Sequence, residues 1–378
     1  MVTRIALLGS TGSVGRQTLD VIEQHPDDFR IVALAAGHNR DELARQVHRH
    51  RPSLVVTKDP ASSFAGIETL PSPEGLIAAA THPDVDLVVF ATSGHDAISA
   101  TIEAIRHKKK IAIANKEAIV CAGDIIMPLA RSNDVVIRPI DSEHSAIWQS
   151  LASGPAKSLK RITLTASGGP FRGTPARELA SVTYQQALKH PNWNMGSKIT
   201  IDSATLVNKG LELIEAHHLF AIPQRQIDVV VHPEQIIHSL VEFNDGNTIA
   251  QLSVPDMRLP IQYALTYPNR LPGDARQLDL VSIGSLSFEQ VDVDRFPSLR
   301  LAREAGEAGG TYPTVFSAVD EIAVEAFARG RIRFTGIPRL IETILSRHSS
   351  EPVTGLDVVK SADEWARREA SRLVSEFA

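Results

Sequence analysis

Short apolar runs and amphipathic stretches take turns along the first third of the chain. Ile5 to Leu8, Phe29 to Ala35, Leu54 to Thr57, Val85 to Phe90 and Ile111 to Ala114 are runs rich in Val, Ile, Leu and Ala. Between them, Ser13 to Ile22, Arg40 to His48 and Asp96 to His107 place apolar residues at helical spacing. Strands covered on both faces read as unbroken apolar runs, so this alternation with short connections predicts a parallel sheet between two layers of helices. Val135 to Ile140 is expected to end that sheet.

The rhythm then changes. Ser145 to Leu151 reads as a helix and Arg161 to Ala166 as a strand, followed by a stretch from Ser167 to Ser203 rich in Gly, Ser, Pro, Asn and aromatic residues. Ala204 to Leu219 is periodic enough for a helix; Asp228 to Val231, Ile237 to Phe243 and Thr248 to Val254 read as strands. Asn244-Asp245-Gly246-Asn247 supplies a hairpin turn between the last two. Pro255 to Ser282 has few clear elements and reads as a linker or crossover. From Leu286 the pattern is helical, and Ser361 with Glu364 suggests a capping box for the last helix. The expected architecture is an α/β domain over residues 1–140, an α+β domain over 141–260, a linker over 261–285 and an α-helical C-terminal domain over 286–378.

Composition narrows the class without choosing a function. The 378 residues are 43% hydrophobic and 22% charged, as in a globular protein with ample core. Lys plus Arg at 39 against Asp plus Glu at 44 gives a formal charge of −5, and no basic arm or stripe points to nucleic acid. No apolar run is long enough for a membrane span. The single Cys121 excludes an intrachain disulfide framework, and the chain enters its first strand without a basic leader, so a cytoplasmic location is expected.

Gly9-Ser10-Thr11-Gly12-Ser13-Val14-Gly15 joins the first strand to the first helix. It departs from the strict G-x-G-x-x-G spacing, yet it can bring helix-terminal N–H groups against a pyrophosphate, as in a Rossmann-like nucleotide-binding domain. A purely structural turn is the alternative. An NAD-selective site often has an acid after the second strand; here stand Ala35-Ala36-Gly37-His38-Asn39-Arg40. That favours the extra phosphate of NADP near His38, Asn39 and Arg40, against the alternative of a solvated helix face. Asn115-Lys116-Glu117 follows a later strand, where Asn115 could orient the cofactor amide and Lys116 substrate oxygens, or where Lys116 and Glu117 are an ordinary surface pair.

Asp141-Ser142-Glu143 ends the sheet's last run, and strand alternation would turn Asp141 and Glu143 to one face as hard oxygen ligands. Glu212 is the best third ligand, sharing a helical face with Asn208 and Lys209. Three carboxylates suit magnesium or manganese, and spacing for zinc is absent. A solvent-facing helix with an ordinary ion pair is the competing reading. Ser167, Ser203, Asn208 and Lys209 would complete a phosphate cradle, His190 adds a possible anion ligand, and Trp193 and Met195 read equally as a bulky cover or lid and as ordinary core or loop packing.

Six segments occur in order: the glycine-rich loop, Asn115-Lys116-Glu117, Asp141-Ser142-Glu143-His144, Ser167-Gly168-Gly169-Pro170-Phe171-Arg172, His190-Pro191-Asn192-Trp193-Asn194-Met195-Gly196, and Asp202-Ser203-Ala204-Thr205 through Asn208-Lys209-Gly210-Leu211-Glu212. Together they closely resemble the 1-deoxy-D-xylulose 5-phosphate reductoisomerase family over essentially the whole chain. That resemblance implies NADPH- and divalent-metal-dependent isomerisation and reduction of 1-deoxy-D-xylulose 5-phosphate to 2-C-methyl-D-erythritol 4-phosphate, in the non-mevalonate route to isoprenoid precursors. It implies metal ligation by Asp141, Glu143 and Glu212, and substrate contacts from Lys116, Ser142, Glu143, Ser167, His190, Ser203, Asn208, Lys209 and Glu212. Cofactor contacts carry over to Thr11, Gly12, Ser13, Val14, Gly37, His38, Asn39, Asn115, Glu117 and Gly196. A homodimer is implied as well.

Two positions depart from the family pattern: His38 where Lys is frequent, and Asp320 where the C-terminal region has Asn. Rival readings are a phosphorylating semialdehyde dehydrogenase, whose thioester would need Cys121, and a non-catalytic dinucleotide sensor. The first would lose activity with Cys121 and need no metal; the second would bind NADP(H) without turnover.

Overall fold

The computed structural model describes residues 2–59, 63–64, 66–193 and 195–377. They divide into two compact units, of which the first takes Met1–Ala118, Asp124–Ser145 and Asp256–Arg276. It is built on seven strands: β1 (Thr3–Leu8), β2 (Phe29–Ala36), β3 (Leu54–Thr57), β4 (Glu68–Pro71), β5 (Leu87–Phe90), β6 (Lys110–Ile113) and β7 (Ile137–Pro139), in the order β4-β3-β2-β1-β5-β6-β7. All neighbours are parallel. The connecting helices are α1 (Ser13–Gln24), α2 (Arg40–His50), α3 (Glu74–Thr81), α4 (Ala97–Arg106) and α5 (Lys116–Ser132). This is the Rossmann-like sheet that the apolar runs imply, and strand order reverses beside β1, where ligands of such folds gather.

This unit differs from the sequence reading in several places, the first being strand β4, whose Glu-Thr-Leu-Pro at the sheet edge is no apolar run. Only Ile137–Pro139 of the Val135 to Ile140 run pairs, with Val136 exposed, because β7 is an edge and needs no covered outer flank. The stretch read as a linker contains helix α11 (Arg258–Thr266), defined here ahead of its place in the chain. Its Ile261, Ala264 and Leu265 share a core with Leu19 and Ile22 of α1 and with Ile5, Leu7, Leu34 and Val89 of the sheet. Pro260 is tolerated because it lies in the first turn, where the missing N–H has no intrahelical partner to lose.

The second unit takes Ile119–Gly123, Ala146–Pro255 and Gln277–Ala378. Its sheet runs β11 (Thr248–Leu252), β10 (Ile237–Phe243), β8 (Leu159–Ala166), β9 (Ile227–Val231), β12 (Glu289–Gln290), with only β8 and β9 parallel. The hairpin between β10 and β11 closes as the Asn-Asp-Gly-Asn sequence requires, with Gly246 at φ +87°. Helices α6 (Ser142–Leu151), α7 (Ala176–Leu179), α8 (Tyr184–Ala187), α9 (Ser197–Thr205) and α10 (Val207–Phe220) surround the intervening segments; α6 begins among the last residues of the first unit. A short α12 (Leu280–Ile283) precedes the helical region of α13 (Ser298–Ala308), α14 (Tyr312–Ala328), α15 (Gly336–Arg347) and α16 (Leu356–Leu373). α13 packs on α10, and α14 packs on α15, α16 and α9.

Three local readings change. The periodic stretch from Ala204 is two helices broken at Leu206, whose φ of 62° lies in the left-handed region and cannot continue a helix. Ser361 is not an N-cap, since α16 starts at Leu356 behind Gly355. Asp141 and Glu143 do not alternate along a strand: β7 stops at Pro139, and Glu143 lies in the first turn of α6. Among the described residues, no helix is long and apolar enough to cross a membrane.

Candidate active site

The nucleotide loop begins where β1 ends. Gly9, at φ +93°, is required twice over, for its backbone angle and because a Cβ there would lie 2.4 Å from the Ala91 carbonyl oxygen. A Cβ at Gly15 would fall 2.2 Å from Gly9 O, so both glycines let the loop close tightly before α1. Gly12 is the N-cap with no side-chain cap, and the first turn carries no acid, so Thr11, Gly12, Ser13 and Val14 surround an electropositive helix end suited to a pyrophosphate. Gln46 of α2 was missed by sequence reading. It is buried and donates from Nε2 to Ser10 O at 3.1 Å, bracing the loop from behind.

Gly37, His38, Asn39 and Arg40 lie between β2 and the first turn of α2, with His38, Asn39 and Arg40 exposed. Asn39 has a structural task as well, accepting from the Glu42 N–H at 3.2 Å as the α2 N-cap. Asn115 caps α5 by accepting from Ala118 N at 2.7 Å, while its Nδ2 donates to Thr92 O and Gly94 O at 3.0 and 2.9 Å. The buried amide thus fixes the turn on which Lys116 and Glu117 stand. Both of those side chains are buried too, which removes the surface alternative for this segment.

The acidic segment adjoins them within the same unit. Lys116 Nζ donates to Asp141 Oδ2, and His144 Nδ1 lies 3.1 Å from that oxygen. Burial opposes charge on Asp141, yet the Lys116 ammonium, then the His144 hydrogen bond and charge, hold its carboxyl well below the usual carboxylate range. Ser142 donates from Oγ to Glu143 Oε2 at 2.5 Å. His144 is fully buried and was assigned no role from sequence; its position three residues after Asp141 was the available signal.

The second unit assembles a different set of donors. After β8, Gly168 and Gly169 take φ of +79° and +65°, and a Cβ on Gly169 would sit 2.9 Å from Ser203 O. This approach brings two serines to one imidazole: Ser167 Oγ and Ser203 Oγ each lie 3.1 Å from His190 Nε2. On α10, Asn208 Nδ2 donates to Glu212 Oε1 at 2.6 Å and Lys209 Nζ to Glu212 Oε2 at 2.5 Å. Glu212 is 0% exposed and Lys209 4%, so the polar strip is no solvent-facing pair. Trp193 and Met195 are half-buried just after His190, and Gly196 is the N-cap of α9; Asn194 lies outside the described residues.

The donors fit the groups the sequence implies. Asp141 and Glu143 of the first unit offer carboxylate oxygens, the hard donors that magnesium or manganese takes, and Glu212 of the second unit is a donor of the same kind. Cys121 is buried within α5, a poor place for a thioester nucleophile that must meet substrate.

Comparison with known proteins agrees across the chain. Three family models match: 1-deoxy-D-xylulose 5-phosphate reductoisomerase over residues 5–123, its C-terminal domain over 137–220, and a DXP reductoisomerase C-terminal domain over 252–369. The 1-deoxy-D-xylulose 5-phosphate reductoisomerase of Thermomicrobium roseum is 53% identical, covering 98% of this chain and 97% of that one. That of Symbiobacterium thermophilum is 50% identical, covering 96% of each. Among solved structures, the Zymomonas mobilis enzyme in complex with NADPH aligns with TM-score 0.91 at 39% identity over 99% of both chains. A DOX-P reductoisomerase in complex with NADPH, fosmidomycin and magnesium aligns with TM-score 0.92 at 38% identity over 99% of this chain and 98% of that one. On a match that spans both units and every segment of the site, the chain belongs to the 1-deoxy-D-xylulose 5-phosphate reductoisomerase family.

Proposed function

We propose that the family's reaction, isomerisation and NADPH-dependent reduction of 1-deoxy-D-xylulose 5-phosphate to 2-C-methyl-D-erythritol 4-phosphate, runs here on the residues just described. Asp141, Glu143 and Glu212 would hold one magnesium or manganese ion; Thr11 to Val14, Gly37 to Asn39, Asn115, Glu117 and Gly196 would hold NADPH. When bound, the cation polarises the substrate carbonyl and steadies developing negative charge, and the dinucleotide supplies the hydride.

The remaining work falls to side chains of this chain. Ser167, His190, Ser203, Asn208 and Lys209 grip the substrate phosphate through hydroxyl, imidazole, amide and ammonium donors. Lys116 keeps Asp141 ionised and oriented, and with Ser142 it offers donors to substrate oxygens. Trp193 and Met195 exclude water, so the branched aldehyde made by isomerisation stays captive until it is reduced. The enzyme works in this reading as a cytoplasmic homodimer.

The observation that carries the proposal is the pairing of Glu212 with Asn208 and Lys209, together with the Ser167-His190-Ser203 cluster of the same unit, in a chain of this family. The test is NADPH oxidation dependent on both 1-deoxy-D-xylulose 5-phosphate and added magnesium or manganese. Folded protein that shows no turnover with metal, cofactor and substrate present would sink it.

A further inference from the structure

We infer that His190 is held as the neutral tautomer protonated at Nε2, and that its Nδ1 lone pair latches the following segment, making it a positioning residue for Trp193 as well as a ligand. The inference rests on the phosphate-binding reading for the ligand half alone; the latch stands on geometry.

An imidazole nitrogen either carries a proton or offers one in-plane lone pair. Nδ1 of His190 faces two backbone donors, the Asn192 N–H at 3.2 Å and the Trp193 N–H at 3.0 Å. A proton on Nδ1 would point into both of them and cancel two hydrogen bonds, so the lone pair belongs there and the proton belongs on Nε2. Nε2 in turn has two hydroxyl oxygens at 3.1 Å, Ser167 Oγ and Ser203 Oγ, either of which can accept. Ser167 Oγ is itself fixed by the Gly169 N–H at 3.1 Å.

One ring therefore joins two tasks. Its Nε2–H points among the hydroxyls that receive an anion, and its Nδ1 holds the backbone from which Trp193 and Met195 extend. Asn192 secures the same segment separately through Nδ2 to Pro233 O at 3.0 Å. The ring contributes a neutral donor rather than a cation. It also ties the position of the cover to the donor that meets the phosphate.

Two substitutions separate the tasks. Asn places Oδ1 where His has Nδ1, so His190→Asn keeps the acceptor for the Asn192 and Trp193 N–H groups and deletes the Nε2–H donor. Gln places Nε2 near the imidazole Nε2, so His190→Gln keeps a donor and deletes the latch. The full chain carries three tryptophans, so 5-fluorotryptophan labelling gives three 19F resonances, with Trp193→Phe assigning one of them. Inorganic phosphate is the binding probe, and long-range 15N–1H correlation on wild-type protein reads the tautomer.

The expected results are an Nε2–H tautomer, and for His190→Asn an unmoved Trp193 resonance with phosphate affinity down roughly tenfold, as for one lost hydrogen bond to a charged group. For His190→Gln, phosphate affinity should stay within about threefold while the Trp193 resonance narrows toward a solvent-exposed position. An Nδ1–H tautomer, or equal release of Trp193 in both variants, overturns the latch. Wild-type protein that shows the Nε2–H tautomer but no phosphate binding overturns the ligand half and the functional reading beneath it, and leaves the latch supported.

Discussion

The two units position their candidate functional residues by different means. In the first, the nucleotide loop, Asn115 and Lys116 stand at the carboxyl ends of parallel strands, and backbone geometry does most of the positioning: tight glycines, a bare helix N-terminus and a buried cap. In the second, Ser167, His190, Ser203, Asn208, Lys209 and Glu212 come from two loops and two helices and are held in two groups by side-chain hydrogen bonds. A site set by backbone is sensitive to added volume, whereas one set by side chains is sensitive to lost donors and charges.

That contrast breaks most visibly at Glu212. Glu212→Gln keeps the shape and removes the charge, and turnover should fall roughly 10³-fold, as expected for several kcal/mol of electrostatic stabilisation. NADPH affinity, read by quenching of protein fluorescence, should change by less than about twofold, since the cofactor loop is built elsewhere. Equal loss of both would mean misfolding. The opposite experiment is Gly15→Ala, which adds one methyl 2.2 Å from Gly9 O. It should weaken NADPH binding by roughly 30-fold and lower the melting temperature, with phosphate binding in the second unit unchanged.

A finer distinction concerns Arg40. If it meets the extra phosphate of NADP, Arg40→Ala should raise KM for NADPH about tenfold, as for one charge-assisted contact, and leave NADH unaffected. Comparable catalytic efficiency of the wild-type protein with NADH and NADPH would reject that assignment. The smallest effect is on stability alone. Burial opposes charge on Asp256, and Arg258, through side-chain and backbone hydrogen bonds and its charge, lowers the carboxyl below its ordinary value. Because the folded pKa is depressed, this contribution is present above the unfolded value near 4 and fades as pH falls through it toward the folded one. The urea midpoint of Asp256→Asn should therefore lie below wild type at pH 7, and the gap should shrink as pH falls below about 4.

Legibility in the sequence followed the same division. Most of the parallel sheet could be read because β1, β2, β3, β5 and β6 are apolar runs, whereas the edge strand β4, Glu-Thr-Leu-Pro, carries no such pattern. Glu212 could be read because helical spacing ties it to Asn208 and Lys209. Helix α11 was hidden by Pro260 and the prolines after it, whose tolerance depends on where the first turn falls. Asp141 and Glu143 were picked for strand alternation, although a turn and a helix start present them. Periodicity finds residues that share a face and says nothing of which chain end lies beside them. Gln46 and His144 escaped because their importance lies in particular buried contacts, to Ser10 O and to Asp141, and the His190 tautomer depends on backbone N–H directions that no residue pattern encodes.

Helix α11 also bears on the order in which the protein can be made. Its three core residues fill the same interior as β1 and α1, yet they are synthesised more than 230 residues after α1 ends, 261 against 24. On a ribosome, the dinucleotide unit must wait with that flank uncovered while much of the second unit emerges. A fragment cut at the end of the apparent nucleotide domain would carry the whole glycine-rich loop and lack the piece that closes its core.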